Sequence, residues 1–131
     1  MQDSLTIVKP QIDQVAKEKL EEELDLEGQV TIHMDFKSKI EGSLLRVWKT
    51  TFLFSKNSSH KSKLLHHHNI PLYPEWKLVK LGKRIRFTLI FSALPKPCTH
   101  FDLIEQIPES GGFVFKNISR NSSDVYHIIL N

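Results

Sequence analysis

The sequence predicts a mainly β fold, an antiparallel immunoglobulin-like β-sandwich with one N-terminal α-helix. Three observations carry that expectation. Residues 84–94 alternate, with Ile85, Phe87, Leu89, Phe91 and Ala93 on one side and Arg84, Arg86, Thr88, Ile90 and Ser92 on the other, the period of a half-buried strand. Similar apolar runs recur with short turn signals between them, giving about seven or eight strands. Only residues 10–27 have helical spacing, so strands do not alternate with helices and a parallel βαβ sheet has no support. The alternative architecture is an α+β roll, with the helix packed on a curved sheet.

At 131 residues the chain is expected to be a single domain, long enough to bury a core without metal or disulfide. Its parts are an arm or edge strand over 1–9, an amphipathic acidic helix over 10–27 and the β-sandwich over 28–131. Cys98 is the single cysteine, so no intramolecular disulfide is possible. The first residues lack a basic region followed by an apolar one, and no apolar run approaches membrane-spanning length. Those features give a cytoplasmic expectation with no membrane partner. Asn57, Asn117 and Asn121 match the glycosylation pattern but read equally as polar turns.

Taken in order, Pro10 suits a helix's first turn. Ile12, Val15, Ala16, Leu20 and Leu24 then form one stripe, with Glu18, Glu21, Glu22 and Asp25 facing away. Gly28 is a fitting stop. Val30, Ile32, Met34 and Phe36 alternate with Thr31, His33, Asp35 and Lys37 in a half-buried strand. After the turn at Glu41-Gly42-Ser43, residues 44–54 read as one central strand, apolar on both faces. Residues 55–62 hold no apolar member and read as an exposed loop. Residues 64–70 form a strand that Pro71 ends, and Pro71 and Pro74 mark an extended, edge-like piece. Residues 76–81 lead through Gly82-Lys83 into the strand at 84–94, which Pro95 and Pro97 stop. Residues 101–105, 112–118 and 125–130 are three further strands.

The charge is uneven. Residues 1–27 hold eight acids and three bases, a balance of −5, and residues 28–131 hold seven acids and fifteen bases, a balance of +8. An acidic helix beside a basic body predicts docking between them.

The run Phe87-Thr88-Leu89-Ile90-Phe91, then Leu94-Pro95-Lys96, Phe101-Asp102-Leu103-Ile104-Glu105, Gly111-Gly112-Phe113 and Asn117-Ile118, resembles the C-terminal half of poorly characterised β-sandwich domains of Bacteroidetes proteins. The resemblance covers about residues 83–118 and rests on strand and turn residues. It implies an immunoglobulin-like sandwich without catalytic activity, and it names no ligand.

Candidate chemistry is sparse. On a strand, His66 and His68 share a face and His67 takes the other. A pair at that spacing binds zinc or copper when a third ligand arrives, and His33, His60, His100 and His127 are the candidates. The plainer reading is a polar strand. Lys77, Lys80, Lys83, Arg84 and Arg86 with Trp76 form a basic set that suits a nucleic-acid backbone and a stacked base, but the net charge of +3 is modest for that role and edge strands commonly carry such residues. Cys98, with Lys96 and His100 nearby, reads as a small buried residue, since sequence neighbours do not make a dyad. Asp102, Glu105 and Glu109 make no convincing acid–base pair, and Gly111-Gly112 reads as a hairpin turn, since no Lys-Ser/Thr follows. No cofactor fingerprint appears.

These features predict a non-enzymatic protein-interaction or structural module whose partner is another protein or a second copy. Its contact residues are the acidic Glu18, Glu21, Glu22 and Asp25 and the basic Lys80, Lys83, Arg84 and Arg86. A metal- or small-ligand-binding domain built on His66 and His68 is the alternative, and a nucleic-acid-binding strand face the second alternative.

Overall fold

The computed structural model of the chain describes residues 28–130. The expected helix over 10–27, with Glu18, Glu21, Glu22 and Asp25, lies outside the described residues. The mainly β class holds. The strands are β1 (Val30–Lys37), β2 (Ser43–Leu45), β3 (Thr51–Ser55), β4 (Lys61–His68), β5 (Lys77–Val79), β6 (Arg84–Phe91), β7 (His100–Glu105), β8 (Val114–Ser119) and β9 (Val125–Leu130).

One continuous sheet carries seven of them, in the order β8-β7-β3-β4-β6-β1-β9, and β2 and β5 form a separate two-stranded ribbon. The arrangement differs from the expected pair of antiparallel sheets in two ways. The large sheet is mixed, because β9 runs parallel to β1 with Thr31 opposite Val125 and Phe36 opposite Leu130. It is also a single curled half-barrel rather than two facing layers. A bulge in β4 accounts for the continuity: the register shifts between Leu64 and His66. Its first half, Lys61 to Lys63, therefore pairs with β3, and the rest pairs with β6. Such a bend lets one strand serve two parts of a sheet.

The curl follows from the chain's path. Strands β8 and β9 are consecutive yet occupy opposite edges, so the short connection between them must span the open side. The ring of Phe101 on β7 meets that of Tyr126 on β9 edge to face, 5.0 Å between centroids. Alternation does the packing. Val30, Ile32 and Met34 of β1 and Ile85, Phe87, Leu89 and Phe91 of β6 are buried with Leu53, Phe101 and Leu103. Each such side chain contributes about 1.5–3 kcal/mol by leaving water.

Two expected boundaries are corrected. The long strand over residues 44–54 breaks into β2 and β3. Thr51 Oγ1 donates to the Trp48 carbonyl at 2.7 Å, closing a turn, and Val47 leaves to bridge Leu72. The exposed loop at 55–62 ends early, since Lys61 and Ser62 already belong to β4. Ser62 is fully buried, with its hydroxyl donating to the Ala93 carbonyl at 3.0 Å, so polarity did not mean exposure here.

The ribbon hangs from the end of β1 through Ser38. The Ser38 and Ser43 hydroxyls lie 2.7 Å apart. Ser38 N–H donates to the Lys83 carbonyl and Gly82 N–H to that of Ser38, each at 2.9 Å. Gly42, at φ 82°, makes the turn that brings β2 back.

Candidate functional site

The basic strand face is present, and one carboxylate offsets part of its charge. Arg84 and Arg86 point outward from β6, and Asp35, on the neighbouring β1, accepts from both at 3.1 Å. Register explains the fork: Asp35 lies directly opposite Arg86, with Arg84 two residues along the same face. Lys80 and Lys83 are separate from this pairing. They are exposed in the turn between β5 and β6, next to the ribbon.

The ribbon and its adjoining turns carry four exposed apolar side chains. Leu44 and Leu78 are direct cross-strand partners. With Ile40 and Leu81 in the adjoining turns they are between 53 and 64% exposed. The opposite face of β5 is spent on the core through Val79. Leu78 lies across Gly42, whose missing side chain makes room for it: a Cβ there would sit 3.3 Å from Leu78 Cδ1. Exposed apolar residues that adjoin one another mark contact surfaces more often than scattered ones do. Lys39, Lys80 and Lys83 are exposed in the adjoining turns, whereas the half-buried Lys77 shares the core-facing side of β5 with Val79.

Behind the ribbon, residues 71–76 are held by an aromatic and arginine stack. The Trp48 and Tyr73 rings stack at 3.8 Å, and the Arg46 guanidinium lies 3.6 Å from the Trp76 ring centre and 4.5 Å from that of Tyr73. Arg46 also donates to the Pro74 carbonyl and reaches Glu109 at 3.5 Å. Trp76 is 51% exposed but has Arg46 on its ring, so a base stacking there must displace a cation already bound. Beneath the stack, the buried Glu105 carboxylate accepts the Trp48 N–H at 2.9 Å and the Phe113 N–H at 3.3 Å. Desolvation raises its pKa, against the lowering effect of those two hydrogen bonds and of Arg46. It serves as an acceptor for backbone, and Asp102 is engaged elsewhere. Desolvation pushes Asp102 up, but the Asn117 N–H and Lys56 outweigh it and its pKa is lowered.

Register sets His66 and His68 on one face of β4, opposite Ile90 and Thr88, and His67 between them is exposed as well. The structure does not bring them a third ligand. His60 Nε2 is bonded to Ser62 Oγ and the Ala93 carbonyl, and His100 faces Thr99. Among the described residues no three His, Cys, Asp or Glu side chains converge. Cys98 is buried, its thiol 3.1 Å from the His100 carbonyl. An open polar depression lined by Lys56, Asn57, Thr99, His100 and Asn117 has its lysine committed to Asp102 at 3.3 Å.

Comparison of the chain with protein-family models, curated proteins and solved structures finds no match in any of the three. The surfaces must therefore be read from their own chemistry.

The ribbon face was missed from sequence. Alternation places Leu44 in a central strand and Leu78 in a lead-in to β6, and nothing in either segment says that they pair alone at the margin of the fold. The signal available was weak: Ile40, Leu78 and Leu81 each sit beside a lysine in a stretch rich in turn residues.

Proposed function

We propose that this chain is a non-enzymatic protein–protein interaction module whose ribbon face accepts an acidic amphipathic helix. The carrying observation is the exposed set Ile40, Leu44, Leu78 and Leu81 with the exposed Lys39, Lys80 and Lys83 in the adjoining turns. Helix-in-groove recognition uses an apolar stripe for affinity and charge around it for orientation. Residues 10–27 offer such a stripe, from Ile12 to Leu24, while Glu18, Glu21, Glu22 and Asp25 on the face away from it give the segment a negative charge that draws it toward a lysine-rich margin at longer range.

The partner we favour is that segment of a second copy. The segment joins the sheet at Gly28, at one end of β1, and the ribbon hangs from the other end. Residues 1–27 carry a balance of −5 and residues 28–131 one of +8, so the same chain supplies a partner of opposite charge. A second copy can offer the whole stripe, giving a head-to-tail or swapped assembly.

Light scattering of the full chain across concentration tests the reading. The mass should rise above the 15.2 kDa of one chain, and Leu44→Asp/Leu78→Asp should return it to one chain. A single-chain mass at every concentration, unchanged in the variant, contradicts it.

A further inference from the structure

Four adjacent strands place a line of side chains across the outer face of the sheet. Register puts His68 of β4 opposite Thr88 of β6, Thr88 opposite His33 of β1, and His33 opposite His127 of β9. The last two rings are 5.0 Å apart between centroids and tilted by 31°. His127 is exposed and His33 half-buried. Thr88 Oγ1 lies 2.7 Å from His33 Nδ1, which holds that ring and leaves its Nε2 without a partner among the described residues.

We propose that His33 and His127 form a two-imidazole chelate for a borderline divalent transition-metal cation, zinc or copper, on the outer face of the β1–β9 pair. Zinc–imidazole bonds of about 2.0–2.1 Å, with ring centres about 1.1 Å behind the ligating nitrogen, put two chelating rings roughly 4.5–5.2 Å apart at bond angles of about 90–109°. The observed 5.0 Å falls in that range. The Thr88 hydroxyl supplies the outer hydrogen bond that fixes the ring and tautomer of a metal-bound histidine. Water fills the remaining positions, since no third His, Cys, Asp or Glu of the described residues joins the pair. His66 and His68 take no part: two strand spacings, about 9.6 Å, separate His68 from His33. The site is independent of the ribbon face and of what docks there.

Calorimetric titration of the full chain with zinc chloride and with copper sulfate, near neutral pH in a non-coordinating buffer, tests this. One ion per chain is expected. His33→Asn and His127→Asn should each weaken binding at least about tenfold, and Thr88→Val, which keeps the shape of the residue but loses its hydroxyl, by roughly tenfold. His66→Asn/His68→Asn should leave it within about twofold. Circular dichroism confirms that each variant is folded, and His127, exposed on an edge strand, is the variant most tolerant of change. No binding by the native chain overturns the proposal, as does binding unchanged in folded His127→Asn or lost in His66→Asn/His68→Asn.

Discussion

Arg120 and Asp124 form a two-pronged ion pair, Nε to Oδ1 at 3.1 Å and Nη2 to Oδ2 at 3.0 Å, across the connection that joins the two edge strands of the sheet. Arg120 Nη1 also donates to the Pro95 and Cys98 carbonyls. Its N–H donates to the Thr99 carbonyl, and the Asp124 carbonyl accepts from Thr31. Tyr126 donates its hydroxyl to Asp124 at 2.9 Å and accepts the Asn121 N–H at 3.0 Å. One guanidinium thus ties together the end of β8, the start of β9 and the β6–β7 connection, which holds the sheet in its curl. Arg120→Leu should destabilise the fold by about 3 kcal/mol, because it strands a mostly buried carboxylate and two carbonyls. Arg120→Lys should recover little, lacking the planar fork. Urea unfolding of the variants measures both.

Tyr126 should report on the same clasp through pH. Desolvation first, then its hydrogen bond to Asp124, raises its pKa from 10.0 to about 12. A group whose folded pKa is raised gives stability that is complete below its unfolded value and lost as pH climbs through the folded one. The fold should therefore weaken between pH 10 and 12. Tyr126→Phe should weaken less over that window than the native chain does. Paired urea titrations across it show whether the difference follows Tyr126.

Glu105 and Gly112 should prove sensitive positions at the far edge. Glu105→Ala removes the acceptor for two backbone N–H groups, an expected loss of about 2–4 kcal/mol. At Gly112 a Cβ would stand 2.5 Å from the Glu105 carbonyl oxygen, so Gly112→Ala must push β7 and the turn apart, at about 1–3 kcal/mol. Thermal unfolding of the two variants tests these values.

Charge reversals should separate the two basic groups. Arg84→Glu/Arg86→Glu breaks the pairs with Asp35 and sets two further carboxylates beside it, which should cost about 1–2 kcal/mol while leaving self-association in place. If Lys80 and Lys83 attract the acidic segment, self-association should weaken as salt rises, and Lys80→Glu/Lys83→Glu should weaken it at low salt and remove that dependence. Light scattering at low and high salt distinguishes them.

The sequence displayed most of what one strand determines alone. In β1, β6 and β9 each residue's face follows from alternation, so Val30 to Phe36 and Ile85 to Phe91 were legible, as were His66 and His68 on one face. Relationships between distant segments were not. The parallel pairing that sets His127 beside His33 depends on β9 crossing from the opposite edge, and no local pattern encodes that path. Leu44 to Phe54 misled because alternation runs on through a turn that only Thr51 and Trp48 close. The Arg46 stack needed the loop at residues 71–76 to fold back. Ser62 and Glu105 are buried because partners from elsewhere satisfy them, and composition cannot show partners.

The proposed assembly places residues 10–27 of one copy on the ribbon face of another. Two variants test it in combination: Leu20→Asp/Leu24→Asp, with the segment's stripe broken and the ribbon intact, and Leu44→Asp/Leu78→Asp, the reverse. Light scattering should find each alone at the 15.2 kDa of one chain. Their equimolar mixture, which restores one intact segment and one intact face, should give about twice that mass. A mixture that stays at the mass of one chain contradicts that assembly.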